Sequence, residues 1–561
     1  MRDYPNAIII GAGASGIAMA YKLTRMGFRD FVIYDKMSGI GGTWFANTYP
    51  GCGCDVPSHL YSFSFALNPD WSKALCEQPE ILAYLNDVVD RFELRGFFEL
   101  QIECLGAVWN EEEQLWEVSL KNVVTGIEFR RKANIFVSAV GGISAPKEID
   151  LPGKETFTGR SWHSARWDHS YDYTGKRLAV IGNGCSASQI VPKLVQKASF
   201  VKQYSRSAQW YHERPNHLTS PLSKALCRYV PLYQRYLRLR LFASFEFMTL
   251  AYGAGEKAAR ERRKLEGASK RYTLGKTPQK YHGFIIPDFP LGCKRRVFDP
   301  DYLDSLSSPN LDVTASKIKQ IDGSVIETED GDRTEFDAIC YATGFRVTEF
   351  LTPMRVIGRD GVQLNEKWKE TGGAVAYKGM TVAGFPNFSI LFGPNTFLAH
   401  NSAIFILELA ADYTVRHIFR PILDGQATSV EVKAEAEGYW ATKTQYKLQQ
   451  MVWSGGCSNW NLNSVGRNTA SYPGTGMDLL WEFWQRDFAD YVFRGGSRYW
   501  ILKRLGRWAR TAVKSLGLAV LVSWMVWRLV ASVSWTRGGL QSSVVQLLRS
   551  ARSSISARLS A

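Results

Sequence analysis

The feature that most constrains this chain is a local pattern that occurs twice: a short apolar run, a glycine-rich turn, then residues with helical periodicity. In the first copy Ala7-Ile8-Ile9-Ile10 runs into Gly11-Ala12-Gly13-Ala14-Ser15-Gly16. A helix-patterned Ile17 to Met26 follows, then a second apolar run, Phe31 to Tyr34, that ends in Asp35. Strand, glycine turn, helix, strand and acid in this order read as a βαβ unit that holds a dinucleotide. Gly11 permits the tight turn, Gly13 lets the backbone approach a pyrophosphate, and Gly16 lets helix and strand pack closely. The helix start offers unpaired N–H groups and the positive end of its dipole to phosphates. Asp35 can accept from both ribose hydroxyls.

The second copy has Arg177 to Ile181 as its strand and Gly182-Asn183-Gly184-Cys185-Ser186-Ala187 as its turn. Ser188 to Gln196 forms its helix. The next strand, around Phe200 to Tyr204, is followed by Arg206 and Ser207 instead of an acid. A carboxylate there would repel a 2′-phosphate, whereas an arginine and a hydroxyl suit one. The second unit is therefore expected to take NADPH, and the first, with its acid, FAD. The expected fold is α/β, with two Rossmann-like dinucleotide-binding domains, a helical insertion and a C-terminal basic and apolar helical tail.

Ser138-Ala139-Val140-Gly141-Gly142 and Tyr341-Ala342-Thr343-Gly344-Phe345 each follow an apolar run and mark where the chain passes between the two domains. The expected divisions are 1–155 for the first part of the FAD domain and 156–345 for the NADPH domain. The latter carries an insertion over about 215–290, rich in Arg, Tyr and Leu. Residues 346–500 complete the FAD domain, and 501–561 form the tail.

Composition narrows the function classes. At 561 residues, 45% hydrophobic and 22% charged, the chain is globular. The nine cysteines are odd in number and lack zinc spacing, so neither a metal site nor a secreted disulfide framework is expected. Met1 to Asn6 is short and polar, so no signal peptide is expected. The net charge is +15, yet residues 501–561 hold ten Lys or Arg and no Asp or Glu, leaving +5 for the rest. The basic character thus belongs to the tail, and nucleic acid is not an expected partner.

Between the two fingerprints, Phe157, Gly159, His163, Trp167 and Asp168 fall in the spacing F-x-G-x-x-x-H-x-x-x-W-[PD]. Gly41-Gly42-Thr43-Trp44, Tyr49-Pro50-Gly51 and Asp55 fit a second long pattern. Together they make residues 5–495 resemble the type I Baeyer–Villiger monooxygenases, and Trp167-Asp168 favours that branch over the related flavin-containing monooxygenases. The resemblance implies that NADPH reduces FAD, that O2 adds to the reduced flavin, and that the oxygenated flavin attacks a ketone to give an ester or lactone. It implies a cation beside the reacting oxygen, and an arginine suits that role because it keeps its proton.

By resemblance, Leu291-Gly292-Cys293-Lys294-Arg295 is the family's G-x-K-R loop. It implies that Arg295 is the catalytic arginine, Lys294 an aid to the 2′-phosphate, and Asp55 the flavin-side acid that pairs with Arg295. Arg296 competes with Arg295, separated from it only by register. Thr43, Trp44 and Tyr61 resemble flavin contacts, Cys104 an adenine contact through its main chain, and Trp460 a residue near nicotinamide and substrate. His163 is read as a hinge between domains rather than a base. Gly393-Pro394-Asn395-Thr396 and His400-Asn401-Ser402 resemble a loop and helix start over the flavin. Thr48 and Asn461 depart from the family, which often has Arg and Tyr there.

Three alternatives stay open. The same oxygenated flavin could oxygenate S or N or hydroxylate. The chain could be a membrane flavoprotein without turnover. Cys52-Gly53-Cys54 could be a dithiol centre like that of the disulfide reductases, although a C-x-C ring is strained. In the tail, Ile501, Leu505, Trp508 and Ala512 share a helical face beside Lys503, Arg504, Arg507, Arg510 and Lys514, and 515–535 is apolar apart from Arg528. This predicts a membrane-associated enzyme whose catalytic part is cytoplasmic, acting on a large apolar ketone.

Overall fold

The computed structural model of the protein describes residues 6–457, 459–497, 499, 501–502 and 505. Its centre is a parallel sheet in the spatial order 388–390, 135–138, 7–10, 31–35 and 98–100. Ala7, Ile8 and Ile9 are wholly buried there. Each buried isoleucine side chain contributes about 1.5–3 kcal/mol, which fixes the strand on both faces. The first helix, Ala14–Arg25, starts inside the glycine turn, earlier than the apolar periodicity alone implies, because the glycine loop feeds directly into it. Its buried face includes Ile17, Ala20 and Leu23.

A second parallel sheet runs 311–314, 200–204, 177–181, 338–341 and 160–163. Its glycine turn opens the helix Cys185–Leu194. The chain then returns, and Phe388–Ile390 pairs in parallel with the Ile135–Ser138 strand of the first sheet. An antiparallel meander, Ile102–Asn110, Leu115–Asn122 and Glu128–Ala133, is flanked by Arg355–Ile357. Its wholly buried Trp116 donates through Nε1 to the Pro386 carbonyl at 2.8 Å and so ties the meander to the returning chain.

The helices Pro221–Tyr229, Tyr233–Glu246 and Gly255–Lys276 follow the second sheet's third strand in sequence. Ser220 caps the first by accepting from Ser223 N–H, with Pro221 at the helix start, where its missing N–H costs nothing. Arg238 of the second donates to the carbonyls of His59 and Ser62, bolting this helix to a loop of the first nucleotide unit. Among the described residues, no helix is long and apolar enough to cross a membrane. The tail on which the membrane reading falls lies outside them, apart from Ile501, Leu502 and Leu505.

Candidate active site

The two glycine loops are built alike. Gly11 has φ +119°, and a Cβ there would lie 2.4 Å from the Ala139 carbonyl oxygen; Gly182 has φ +125°, and its Cβ would lie 2.3 Å from that of Ala342. The two strand-end motifs therefore run past the first glycine of their respective fingerprints, leaving no room for a side chain. Neither helix start, Gly13 nor Gly184, receives a side-chain cap, so the first N–H groups of both helices face outward for an anion. A Cβ on Gly16 would meet the Gly11 carbonyl at 2.1 Å, while the second loop carries Ala187 at the corresponding place.

Asp35 Oδ2 accepts from Ala12 N–H at 2.7 Å and Oδ1 from Met37 N–H at 2.8 Å. The carboxylate is thus aimed by the backbone and keeps lone pairs for a ribose. Gly42, with φ +55°, packs so tightly on the first loop that a Cβ would lie 2.7 Å from Gly13 Cα. Trp44 Nε1 donates to Tyr61 Oη at 3.1 Å, and Gln78 Nε2 donates to the Trp44 carbonyl at 2.5 Å. Thr43 Oγ1 donates to the Ile143 carbonyl at 3.4 Å. Ser15 and Cys104 are buried, and Cys104 lies in the meander strand opposite Leu120.

Around the second loop, Asn183 Nδ2 donates to the Ser207 carbonyl and Lys294 Nζ donates to Ser207 Oγ at 2.9 Å. Burial, and then the positive charge of Arg206, pull the Lys294 ammonium below its ordinary pKa. Lys294 thus stands at the Ser207 hydroxyl, with Arg206 near enough for its charge to act on it. A phosphate dianion fits that donor set. Ser186 follows Cys185 in the first turn of the helix, whereas Ser188 is wholly buried behind it, its Oγ 3.5 Å from Tyr211 Oη.

Arg295 and Asp55 form an ion pair beside Cys185 of the second loop. Arg295 Nε donates to Asp55 Oδ2 and Nη2 to Asp55 Oδ1, each at 2.8 Å. Burial disfavours the guanidinium charge, but Asp55 above all, with Cys185 and Tyr252, raises the pKa above the ordinary value. The charge is therefore permanent. Arg296 is buried, with Nη2 at 2.7 Å from Met248 Sδ, so the register places Arg295 and not Arg296 against Asp55. Gly292 sets that register: its φ is +93°, and a Cβ would lie 2.3 Å from the Tyr252 ring. The Arg295 guanidinium sits 5.8 Å from the centre of the Phe397 ring, which meets Trp460 edge-on at 5.0 Å. Phe397 and Trp460 line an apolar cavity together with Ile143, Val347, Phe350 and Phe392.

Some elements of the site gave no signal in the sequence. Gln189 Oε1 accepts from Tyr49 Oη at 2.9 Å, and its Nε2 donates to the Gly53 carbonyl at 3.0 Å, clamping one glycine-loop helix to the loop that carries Asp55. Thr48, where the family often has Arg, lies 2.7 Å from His169 Nε2. Cys293 and Cys457 form a disulfide between the Arg295 loop and the Trp460 loop, which the scattered cysteine spacing did not suggest. Cys52 and Cys54 are free and buried; burial above all raises both thiols, Cys52 to about 12. Such inert thiols suit packing better than a dithiol centre. His163 accepts from Ala165 N–H through Nδ1 at 3.1 Å and meets Phe345 edge-on at 5.9 Å, tying the linker to the second strand-end motif.

The chain is similar in sequence and fold to known proteins. The pyridine nucleotide-disulphide oxidoreductase family matches residues 8–227. A Baeyer–Villiger monooxygenase of Streptomyces coelicolor is 38% identical over 496 residues, 88% of this chain and 93% of that protein. The chain belongs to the Baeyer–Villiger monooxygenases. An FAD-binding monooxygenase of Aspergillus niger is 34% identical over 551 residues, 94% of this chain and 90% of that one. The structure of a cyclohexanone monooxygenase from Rhodococcus bound to NADP+ is 26% identical with a TM-score of 0.77, covering 88% of this chain and all of that one. As a Baeyer–Villiger monooxygenase the protein is an oxidoreductase of the FAD- and NADPH-dependent flavoprotein class.

Proposed function

We propose that this Baeyer–Villiger monooxygenase converts a large apolar ketone to an ester or lactone, with Arg295 as the cation at the reacting oxygen. When bound, reduced FAD supplies activated O2, and NADPH supplies the hydride that reduces it. The Gly11–Gly16 loop, Asp35, Gly42, Thr43, Trp44 and Tyr61 would hold the FAD, with Ser15 at the loop and the main chain of Cys104 at the adenine. Gly182 to Ser188, Arg206, Ser207 and Lys294 would hold NADPH; Ser188 contributes from behind the loop by packing. Both loops fit such groups: each first glycine leaves no space for a Cβ, and each helix start lacks a side-chain cap.

The observation that carries the reading is the two-point bond between Arg295 and Asp55. Asp55 fixes the guanidinium plane, which lies 5.8 Å from the centre of the Phe397 ring that lines the apolar cavity. A ketone carbonyl there would gain negative charge on its oxygen as it is attacked. A preorganised guanidinium in a largely apolar surround stabilises that charge without reorganising. Phe397 and Trp460 exclude water and orient an apolar substrate. His163 acts as a hinge that lets the two nucleotide units shift between the hydride and oxygen steps.

The basic, apolar segment 501–561 attaches the enzyme to a membrane surface and keeps the catalytic part cytoplasmic, where apolar ketones partition from lipid. The test of the chemistry is product analysis of Arg295→Ala with a ketone panel: ester formation is lost while NADPH oxidation persists. The tail reading is tested by vesicle co-sedimentation of the full chain against a variant with the tail's Arg and Lys changed to Glu. Equal sedimentation of the two overturns it.

A further inference from the structure

Cys293 lies two positions before Arg295, and Cys457 three before Trp460. The disulfide joins them across 164 residues of chain, with Cα atoms 6.2 Å apart. The noncovalent path between the same loops runs from Arg295 over the Phe397 ring to Trp460. Disulfide and aromatic path thus link the Arg295 loop to the Trp460 loop at two places.

The bridge sits in a packed cluster with Tyr252, Leu448, Val452 and Trp453. Cys293 is wholly buried, whereas Cys457 follows the exposed turn Ser454-Gly455-Gly456 and is 7% exposed. Both cysteines belong to this cluster, and Cys457 is the one that adjoins the exposed turn. Asn459 Nδ2 donates to the Cys457 carbonyl at 3.3 Å and to that of Trp453 at 3.2 Å, which carries the position of Cys457 onward to Trp460.

We propose that Cys293 and Cys457 are positioning residues whose disulfide holds Arg295 and Trp460 in register for oxygen transfer, and that a dithiol reductant releases them. The proposal rests on the assignment of Arg295 above. The step is thiol–disulfide exchange. A thiolate of the reductant attacks Cys457 Sγ from the exposed turn, the Cys293–Cys457 bond breaks, and Cys293 leaves as a thiolate that takes a proton. The second thiol of the reductant then displaces Cys457, so the enzyme gains two electrons and two protons and the reductant becomes a disulfide.

Reduction loosens the Trp460 loop, whereas the Asp55 bonds keep Arg295, and with it Lys294, in place, so the ketone loses its position beside the arginine while both nucleotide loops stay intact. The affected quantity is therefore coupling, the ester formed per NADPH consumed, and not NADPH affinity.

The experiment uses full-length holoenzyme. Intact and peptide mass spectrometry after alkylation under non-reducing conditions locates the bridge, and coupling is then measured before and after treatment with dithiothreitol and after removal of the reductant in air. The expected result is a Cys293–Cys457 peptide pair, a fall in coupling of at least about threefold on reduction with an unchanged KM for NADPH, and recovery on reoxidation. Cys293→Ser/Cys457→Ser should match the reduced enzyme and ignore the reductant. Absence of the bridged peptide, or equal coupling in both redox states of the native enzyme, overturns the proposal. If the double variant fails to fold, the native enzyme's two redox states still decide it. If Arg295→Ala keeps full ester yield, the reading of Arg295 fails separately, whatever the bridge does.

Discussion

Arg295 and Asp55 are 240 residues apart in the chain and face each other through two parallel hydrogen bonds of 2.8 Å. The pair joins the loop after the helical insertion to the loop after the Gly41-Gly42-Thr43-Trp44 motif. Asp55→Ala leaves the arginine charged but free to turn, so the carbonyl loses an aligned donor. Loss of one preorganised donor costs about 10²–10³ in rate. Asp55→Ala is therefore expected to lower kcat for ester formation by that order, with NADPH binding little changed, as steady-state kinetics with product detection would reveal. An unchanged kcat would remove Asp55 from the chemistry.

We propose that the donor set of Arg206, Ser207 and Lys294 sets coenzyme choice. Arg206→Ala and Lys294→Ala are each expected to raise the KM for NADPH about ten- to a hundredfold and leave that for NADH almost unaltered, since a charge-assisted bond contributes about 1.5–3 kcal/mol. Comparing kcat/KM for the two coenzymes measures this. Equal losses with both would point to a structural role.

On the proposed assignment, the two glycine loops hold different cofactors. Gly11→Ala places a Cβ 2.4 Å from the Ala139 carbonyl oxygen, and Gly182→Ala one 2.3 Å from that of Ala342, both at positive φ. Gly182→Ala is expected to yield a yellow protein that retains FAD yet is reduced slowly by NADPH, whereas Gly11→Ala is expected to be isolated without flavin. Absorbance at purification and anaerobic reduction by NADPH test both.

Two histidines make stability fall in acid. Burial pushes His59 down to about 4 and His212, with Arg296 adding to it, down to about 3, against an ordinary 6.5. Both bind a proton more readily when unfolded. Stability is thus fully present above the unfolded value of about 6.5 and is lost as pH falls from there toward 4 and then 3. Urea titrations at pH 7.5, 6 and 5 should give midpoints that drop stepwise, and His212→Asn should flatten the drop.

What the sequence made legible was local. Both nucleotide units are contiguous stretches whose glycines, apolar runs and closing residues sit at short fixed spacings, so their form follows from neighbouring residues alone. The Arg295–Asp55 pair was reachable only through the family resemblance, because no periodicity connects positions so far apart. The Gln189 clamp looks like any polar residue in a helix until Tyr49 and Gly53 are brought beside it. Cys293 and Cys457 are ordinary apolar positions in their own segments, and only the return of the chain to the first sheet makes them neighbours. The choice between Arg295 and Arg296 turned on Gly292, whose positive φ rotates the loop by an amount that spacing does not encode.

The most direct test of the central claim is isotope incorporation. The purified holoenzyme is supplied with NADPH, a panel of apolar ketones and 18O2, and the product is examined by mass spectrometry beside Arg295→Ala. The expected result is an ester or lactone carrying one 18O atom from the native enzyme, and at most about 1% of that yield from the variant while NADPH is still consumed. Labelled ester from Arg295→Ala at the native rate would contradict the account.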